Sequence, residues 1–206
     1  ALAARATVDL DLVTAATYAT GGHDLQDDLD ELLDADVDGD EFTFAVGAPR
    51  PMSIDGQRGG WRVTLTAYVG GSLFQVVKLD VVTQFAELEG GVERLRVPAP
   101  ISVAGLGAAE VLAVDAAQHT AEKLHALART YAGGRPSSRV KDLVDLVLLL
   151  EAGLLEPASV AARLHVVYAV RDGARPPPAL PELPPSWADD YRALVARNEL
   201  DVAATT

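Results

Sequence analysis

Two aspartates near the start of the chain, Asp9 and Asp11 in the run RATVDLDLV, have the types and spacing to do chemistry. They alternate with Val8, Leu10 and Leu12, a period of two that predicts a β-strand. Residues two apart on a strand project from the same face, so the two carboxylates stand side by side with aliphatic residues behind them. Like charges that close repel unless a cation neutralises them. A hard divalent cation such as Mg²⁺, shared between carboxylates and substrate phosphates, would do so. The ordinary alternative is a solvated strand face, because Asp-x-Asp is a common pattern. Aspartate is depleted in strands, which makes two of them in one short aliphatic strand informative.

A third carboxylate lies in SLFQVVKLDVV. Alternation puts Val76, Lys78, Asp80 and Val82 on one face and Val77, Leu79 and Val81 on the other. If this strand neighbours the first, Asp80 joins Asp9 and Asp11. Three carboxylates over one or two Mg²⁺ ions is the arrangement that nucleotidyl transfer uses, and Asp80 would suit a base for the incoming hydroxyl. The alternative is an aspartate at a sheet edge, or one paired with Lys78 or with another strand.

The cations come later. Lys123, next to Glu122 in DAAQHTAEKLHALARTY, could reach toward a triphosphate. Arg135, Arg139 and Lys141 cluster beside Asp142 and Asp145 in GGRPSSRVKDLVDLVLLLEAG. Asp142 and Asp145 are three apart and share a helix face, and Ser137 or Ser138 could cap that helix. A helix start with acids near the positive end of the dipole is the ordinary account, and it suffices for Asp145.

The elements that must position these groups fall into two halves. Residues 1–114 read as strand-rich, with a helix over 24–34 carried by Leu25, Leu29, Leu32 and Leu33. GDEFTFAVG, WRVTLTAYVGG and SLFQVVKLDVV read as strands, the last two joined by a hairpin at Gly70 and Gly71. VLAVD at 111–115 reads as one more. Residues 115–206 read as helical. Their apolar faces are Ala117, Ala121, Leu124 and Leu127; Leu143, Leu146, Val147 and Leu150; Val160, Leu164 and Val167; and Trp187, Tyr191, Leu194 and Val195 in a segment over 187–202. RPPPALPELPP at 175–185 is a proline-rich connector.

At 206 residues the chain suits one domain or two small ones, with a core of Ala, Val and Leu, since aromatics are only 5%. The absence of cysteine excludes disulfide and thiol chemistry. A formal net charge of −13 argues against broad, non-specific nucleic-acid binding but leaves room for a local basic groove. No apolar run reaches the length of a membrane span, and no basic segment followed by an apolar one opens the chain. The expectation is a cytoplasmic protein with no membrane partner. Asp34, Asp36, Asp38 and Gly39 match the first positions of an EF-hand loop, but Ala45 stands where the bidentate glutamate belongs, so a solvated acidic turn is expected. His23, His119, His125 and His165 lack metal-ligand spacing.

Taken in order, RATVDLDL, FQVVKLDVV, AEKLHAL and SSRVKDLVDLVLL resemble the AbiEii/AbiGii-type nucleotidyltransferase toxins over about residues 5–150. The resemblance implies an α+β fold, with a polymerase-β-like mixed sheet at 1–114 followed by a helical domain at 115–206. It implies that Thr7 matches a Ser/Thr before the metal pair and that Asp9 and Asp11 are the metal carboxylates. Asp80 fits the third-carboxylate position less closely. Lys123 matches a lysine of the nucleotide site, with Arg139 beside it, and Asp142 an acidic residue of the helical domain. It also implies Mg²⁺ as cofactor, an NTP as substrate, an RNA acceptor (tRNA by kinship) and a cognate antitoxin. The family pattern begins with a Gly-Gly-Ser/Thr motif about one helix upstream of the aspartate pair, where helix-start N–H groups bind phosphate. Gly21-Gly22 and Gly59-Gly60 lie downstream and cannot replace it. Without that segment, weak or no catalysis and an uncovered apolar sheet surface are expected. The reading is therefore an Mg²⁺-dependent nucleotidyltransferase toxin. The alternatives are protein or self nucleotidylation, phosphorylation of its own Thr7, and a catalytically inactive fold acting as a binding module. Replacing Asp11 or Lys123 is expected to abolish activity without unfolding the chain.

Overall fold

The computed structural model describes residues 9–14, 18, 21–35, 41–54, 57–83, 88, 90–97, 108–131, 135–136 and 139–198. Contacts group the chain into two compact units, Thr7–Phe85 with Pro98–Ala108, and Ala86–Val97 with Ala1–Ala6 and Ala109–Thr206.

The first unit is a five-stranded mixed sheet with a helix on one face. Its strands are β1 (Asp9–Thr14), β2 (Phe42–Val46), β3 (Arg50–Ile54), β4 (Gln57–Val69) and β5 (Ser72–Thr83), and its helix is α1 (His23–Asp34). The order is β1-β5-β4-β2, with β3 also on β4. β1 runs parallel to β5, and the remaining pairs are antiparallel. Strands β4 and β5 turn through Gly70 and Gly71, whose φ angles of 54° and 78° are the two positive values a tight two-residue hairpin needs.

Period-two alternation divides this sheet into a core face and an open face. Trp61, Val63, Leu79 and Val81 pack against Leu25 and Leu29 of α1. Leu32, read as part of the same apolar stripe, is 71% exposed. A helix lying on one flat sheet buries a narrow i, i+4, i+8 stripe, here Leu25, Leu29 and half-buried Leu33, and Leu32 falls outside it. The core face is also incomplete near β1: Leu10 and Leu12 share a row with buried Leu79 and Val81 yet remain exposed. At Gly60 of β4 an added Cβ would fall on the carbonyl oxygen of Val81 in β5. Gly60→Ala is therefore expected to cost about 1–3 kcal/mol through forced backbone movement, read as a lowered urea midpoint.

The second unit contains the antiparallel pair β6 (Val92–Val97) and β7 (Ala109–Val114), the short pair β8 (Thr130–Tyr131) and β9 (Arg135–Pro136), and helices α2 (Ala116–Ala128), α3 (Val140–Glu151), α4 (Pro157–Asp172) and α5 (Trp187–Arg197). Asp115 starts α2 by accepting the Gln118 N–H at 2.7 Å. Glu156 starts α4 by accepting the N–H groups of Ala158 and Ser159, with Pro157 in the first turn. α2 packs on α3 and α4, and α3 on α5. The buried residues of α3 are Asp142, Val144, Leu146 and Leu148, whereas Leu150, expected in its core stripe, is exposed. The reason is that α3 is held on two sides. Val144 and Leu148 meet Tyr191 and Leu194 of α5, while Leu146 meets Leu127 and Trp187. Trp187, Tyr191 and Leu194 are buried as their spacing predicts. No helix among the described residues is long and apolar enough to cross a membrane.

Candidate active site

The open face of the five-stranded sheet carries the acids. The parallel register sets Asp11 directly beside Asp80 and Asp9 beside Lys78. Alternation then directs Asp9, Asp11 and Asp80 to one face, away from the Leu79 and Val81 core. The same row continues through β4 and β3, because Asp80 is opposite Arg62 and Arg62 is opposite Arg50. Across four strands the row reads Asp11, Asp80, Arg62, Arg50.

Arg62 closes on this row. Its Nε donates to Asp80 Oδ1 and its Nη2 to Asp80 Oδ2, both at 2.6 Å, a two-pronged fork. Nη2 also lies 3.8 Å from the Met52 sulfur. The hydrogen bond to Asp80 raises the Arg62 pKa above its ordinary value, and the charges of Asp80, Asp9 and Asp11 act in the same direction. One guanidinium thus answers three carboxylates. The strand pattern of WRVTLTAYV puts Arg62 opposite in face to Trp61 and Val63, but the sequence names no partner for it. Asp80's partner is therefore a neighbouring strand's arginine, not Lys78.

Three carboxylates on one face form an all-oxygen donor set, the chemistry that suits Mg²⁺. Among the described residues no group of three or more His, Cys, Asp and Glu is gathered closely enough to hold a metal ion as the side chains stand. What gathers around Asp80 is Arg62. Its side chain is 53% exposed, so it can swing away without disturbing the core. The donor set fits a metal in chemistry and in face, with Asp80 engaged by an internal cation. Thr7 lies outside the described residues.

The second unit holds the other sequence-predicted residues together. Lys123 Nζ on α2 lies 2.8 Å from Asp145 Oδ2 and 3.3 Å from Asp142 Oδ1 on α3. Arg139 Nη1 reaches Asp142 Oδ2 at 3.3 Å. Asp145, assigned by its position to ordinary helix-start electrostatics, is instead the nearer partner of Lys123. The i, i+3 spacing of Asp142 and Asp145 placed both on one face, but only the packing of α2 on α3 brings the lysine between them. All three side chains are at least four-fifths buried, and Lys123 retains 14% exposure. Arg139 and Lys141 border an open cleft of about 540 Å³ between the start of α3 and α5, opposite Asp190 and Arg197. Its lining mixes both signs of charge rather than forming a uniform basic wall.

His119, one turn before Lys123, has its pKa lowered first by burial and then by the positive charge of Lys123, against the pull of Asp145 and Asp142. Below the ordinary histidine value of about 6.5, the unfolded chain binds a proton that the folded one resists. This contribution to stability is therefore complete above that pH and is lost as pH falls below it. His119→Gln is expected to flatten the loss of thermal stability between pH 7 and 5, measured by melting at stepped pH.

A mixed sheet presenting adjacent acids, followed in sequence by helices, has the α+β composition that the motifs imply. The chain belongs to the AbiEii family, nucleotidyl transferase toxins of type IV toxin–antitoxin systems, whose family model matches residues 1–204. Among solved structures it matches MenT4, a nucleotidyltransferase toxin from Mycobacterium tuberculosis H37Rv, at 20% identity and a TM-score of 0.49. That match covers 89% of this chain and 56% of that one, so this chain spans little more than half the length of that relative. No curated protein matches the chain.

Proposed function

We propose that the protein transfers a nucleoside monophosphate from an NTP to an RNA acceptor, tRNA by kinship, as the toxin of a cytoplasmic toxin–antitoxin pair with a cognate antitoxin as its partner. The observation that carries this reading is the register of β1 on β5, which sets Asp11 beside Asp80 on an open sheet face in a chain of the AbiEii family. In the transfer, the acceptor hydroxyl oxygen attacks the α-phosphorus, the bond to pyrophosphate breaks, and the hydroxyl proton leaves to a base. Asp9, Asp11 and Asp80 would hold Mg²⁺, which when bound neutralises the phosphate charge that develops. Asp80, once released from Arg62, is the carboxylate suited to take the proton. Lys123 lies between two carboxylates in a largely buried setting, and its role at the triphosphate, like those of Arg139 and Asp142, rests on the family pattern.

The test is direct. Full-length protein is incubated with tRNA and each radiolabelled NTP in Mg²⁺, and the RNA is resolved on a gel. Label from one or more nucleotides supports the reading. Label on the protein itself points to self-modification. No label from any nucleotide leaves a non-catalytic binding module as the better account.

A further inference from the structure

We infer that Arg62 is the resident counter-cation of the acidic sheet face, and that a divalent cation must displace it from Asp80 to bind there. This rests on the metal-site reading above and adds the residue that sets the site's affinity threshold.

Three observations carry it. Arg62 takes both oxygens of Asp80 at 2.6 Å, leaving neither oxygen without a charged donor. Asp80 stands in the row between Asp11 on one side and Arg62 on the other, so an ion bridging Asp11 and Asp80 must approach the oxygens that the guanidinium holds. The exposures are also unequal. Asp80's side chain is 17% exposed and Arg62's is 53% exposed, so the arginine is the member free to move.

The physical consequence is competition. Planar guanidinium matches a carboxylate in two-pronged geometry and keeps its charge at any ordinary pH. It offsets part of the negative charge of the aspartate row while no metal is bound, which lessens the like-charge repulsion that the three carboxylates carry. The apparent affinity for a divalent cation is then reduced by the fraction of molecules in which Arg62 has let go. Arg62 is a positioning residue in this account. It fixes the Asp80 side chain along the row and touches no substrate.

The experiment is calorimetric titration of the protein with MgCl₂ alone, without nucleotide, on the wild type, Arg62→Gln, Arg62→Lys and Arg62→Ala. Each is checked for an unchanged melt. Arg62→Gln keeps the aliphatic stem and a polar end without the charge, so it guards against a folding defect in the alanine variant. Removing the fork is expected to tighten Mg²⁺ binding about fivefold to tenfold. Lysine, a point charge without the fork, is expected to fall between. Asp11→Ala in the Arg62→Gln background is expected to abolish the gain. Equal Mg²⁺ affinity in all four proteins, with binding still lost on Asp11→Ala, overturns the role of Arg62 and leaves the metal site standing. No Mg²⁺ binding in any of them overturns both.

Discussion

Asp11→Ala is expected to lower nucleotidyl transfer by about a hundredfold or more while the melting temperature stays level or rises. The activity loss follows from removing a preorganised charge contact, for which such factors are typical. The stability expectation follows from the sheet. Asp11 is exposed, lies on the face opposite the Leu79 and Val81 core, and stands beside Asp80 in the parallel register. Deleting one of two adjacent carboxylates relieves repulsion and opens no cavity. Gel labelling of RNA and a thermal melt on the same preparation measure the two halves. Labelling that survives the substitution would remove Asp11 from the proposed chemistry.

Lys123→Ala is expected to fail in both assays. The lysine sits between Asp142 and Asp145 with 14% of its side chain exposed, against 12% and 17% for the two acids. Removing it takes away a cation shared by two mostly buried carboxylates of like charge on one helix face, of which Asp142 also meets exposed Arg139. Breaking a pair in that setting costs about 3 kcal/mol. Replacing Lys123 is therefore expected to affect folding, where sequence alone led us to expect no such effect, because the lysine lies between α2 and α3 and pairs with two acids of α3. Denaturant unfolding measures the loss, and Asp145→Asn in the Lys123→Ala background should recover part of it, since the two sites share one interaction. An unchanged urea midpoint for Lys123→Ala would mean that the ion pairs contribute as little as surface ones.

The legible and illegible parts of the site differ by the range of the interaction. Which face each acid occupies is a local property, fixed by alternation within DLDLV and within VVKLDVV. That the two strands adjoin was a conditional statement in the sequence, because nothing within either strand names its neighbour. The same holds for the helices. The apolar face of Trp187, Tyr191 and Leu194 was readable because α5 buries one stripe. Of the face expected on α3, Leu143, Leu146 and Val147 pack in the core, and Leu150 near the helix end is exposed.

The sequence by itself determined the five helices, strands β1, β2, β4, β5 and β7 but not β3 or β6, the hairpin at Gly70 and Gly71, the family, and the face on which Asp9, Asp11 and Asp80 stand. Each follows from backbone geometry that repeats every two or 3.6 residues, or from motifs read in order. Tertiary structure alone decided the partners. Arg62 meets Asp80 across eighteen residues, and Lys123 meets Asp145 across twenty-two. Charges of opposite sign are abundant along the chain, and only the register of one strand on another, or the packing of one helix on another, brings a particular pair within hydrogen-bond range.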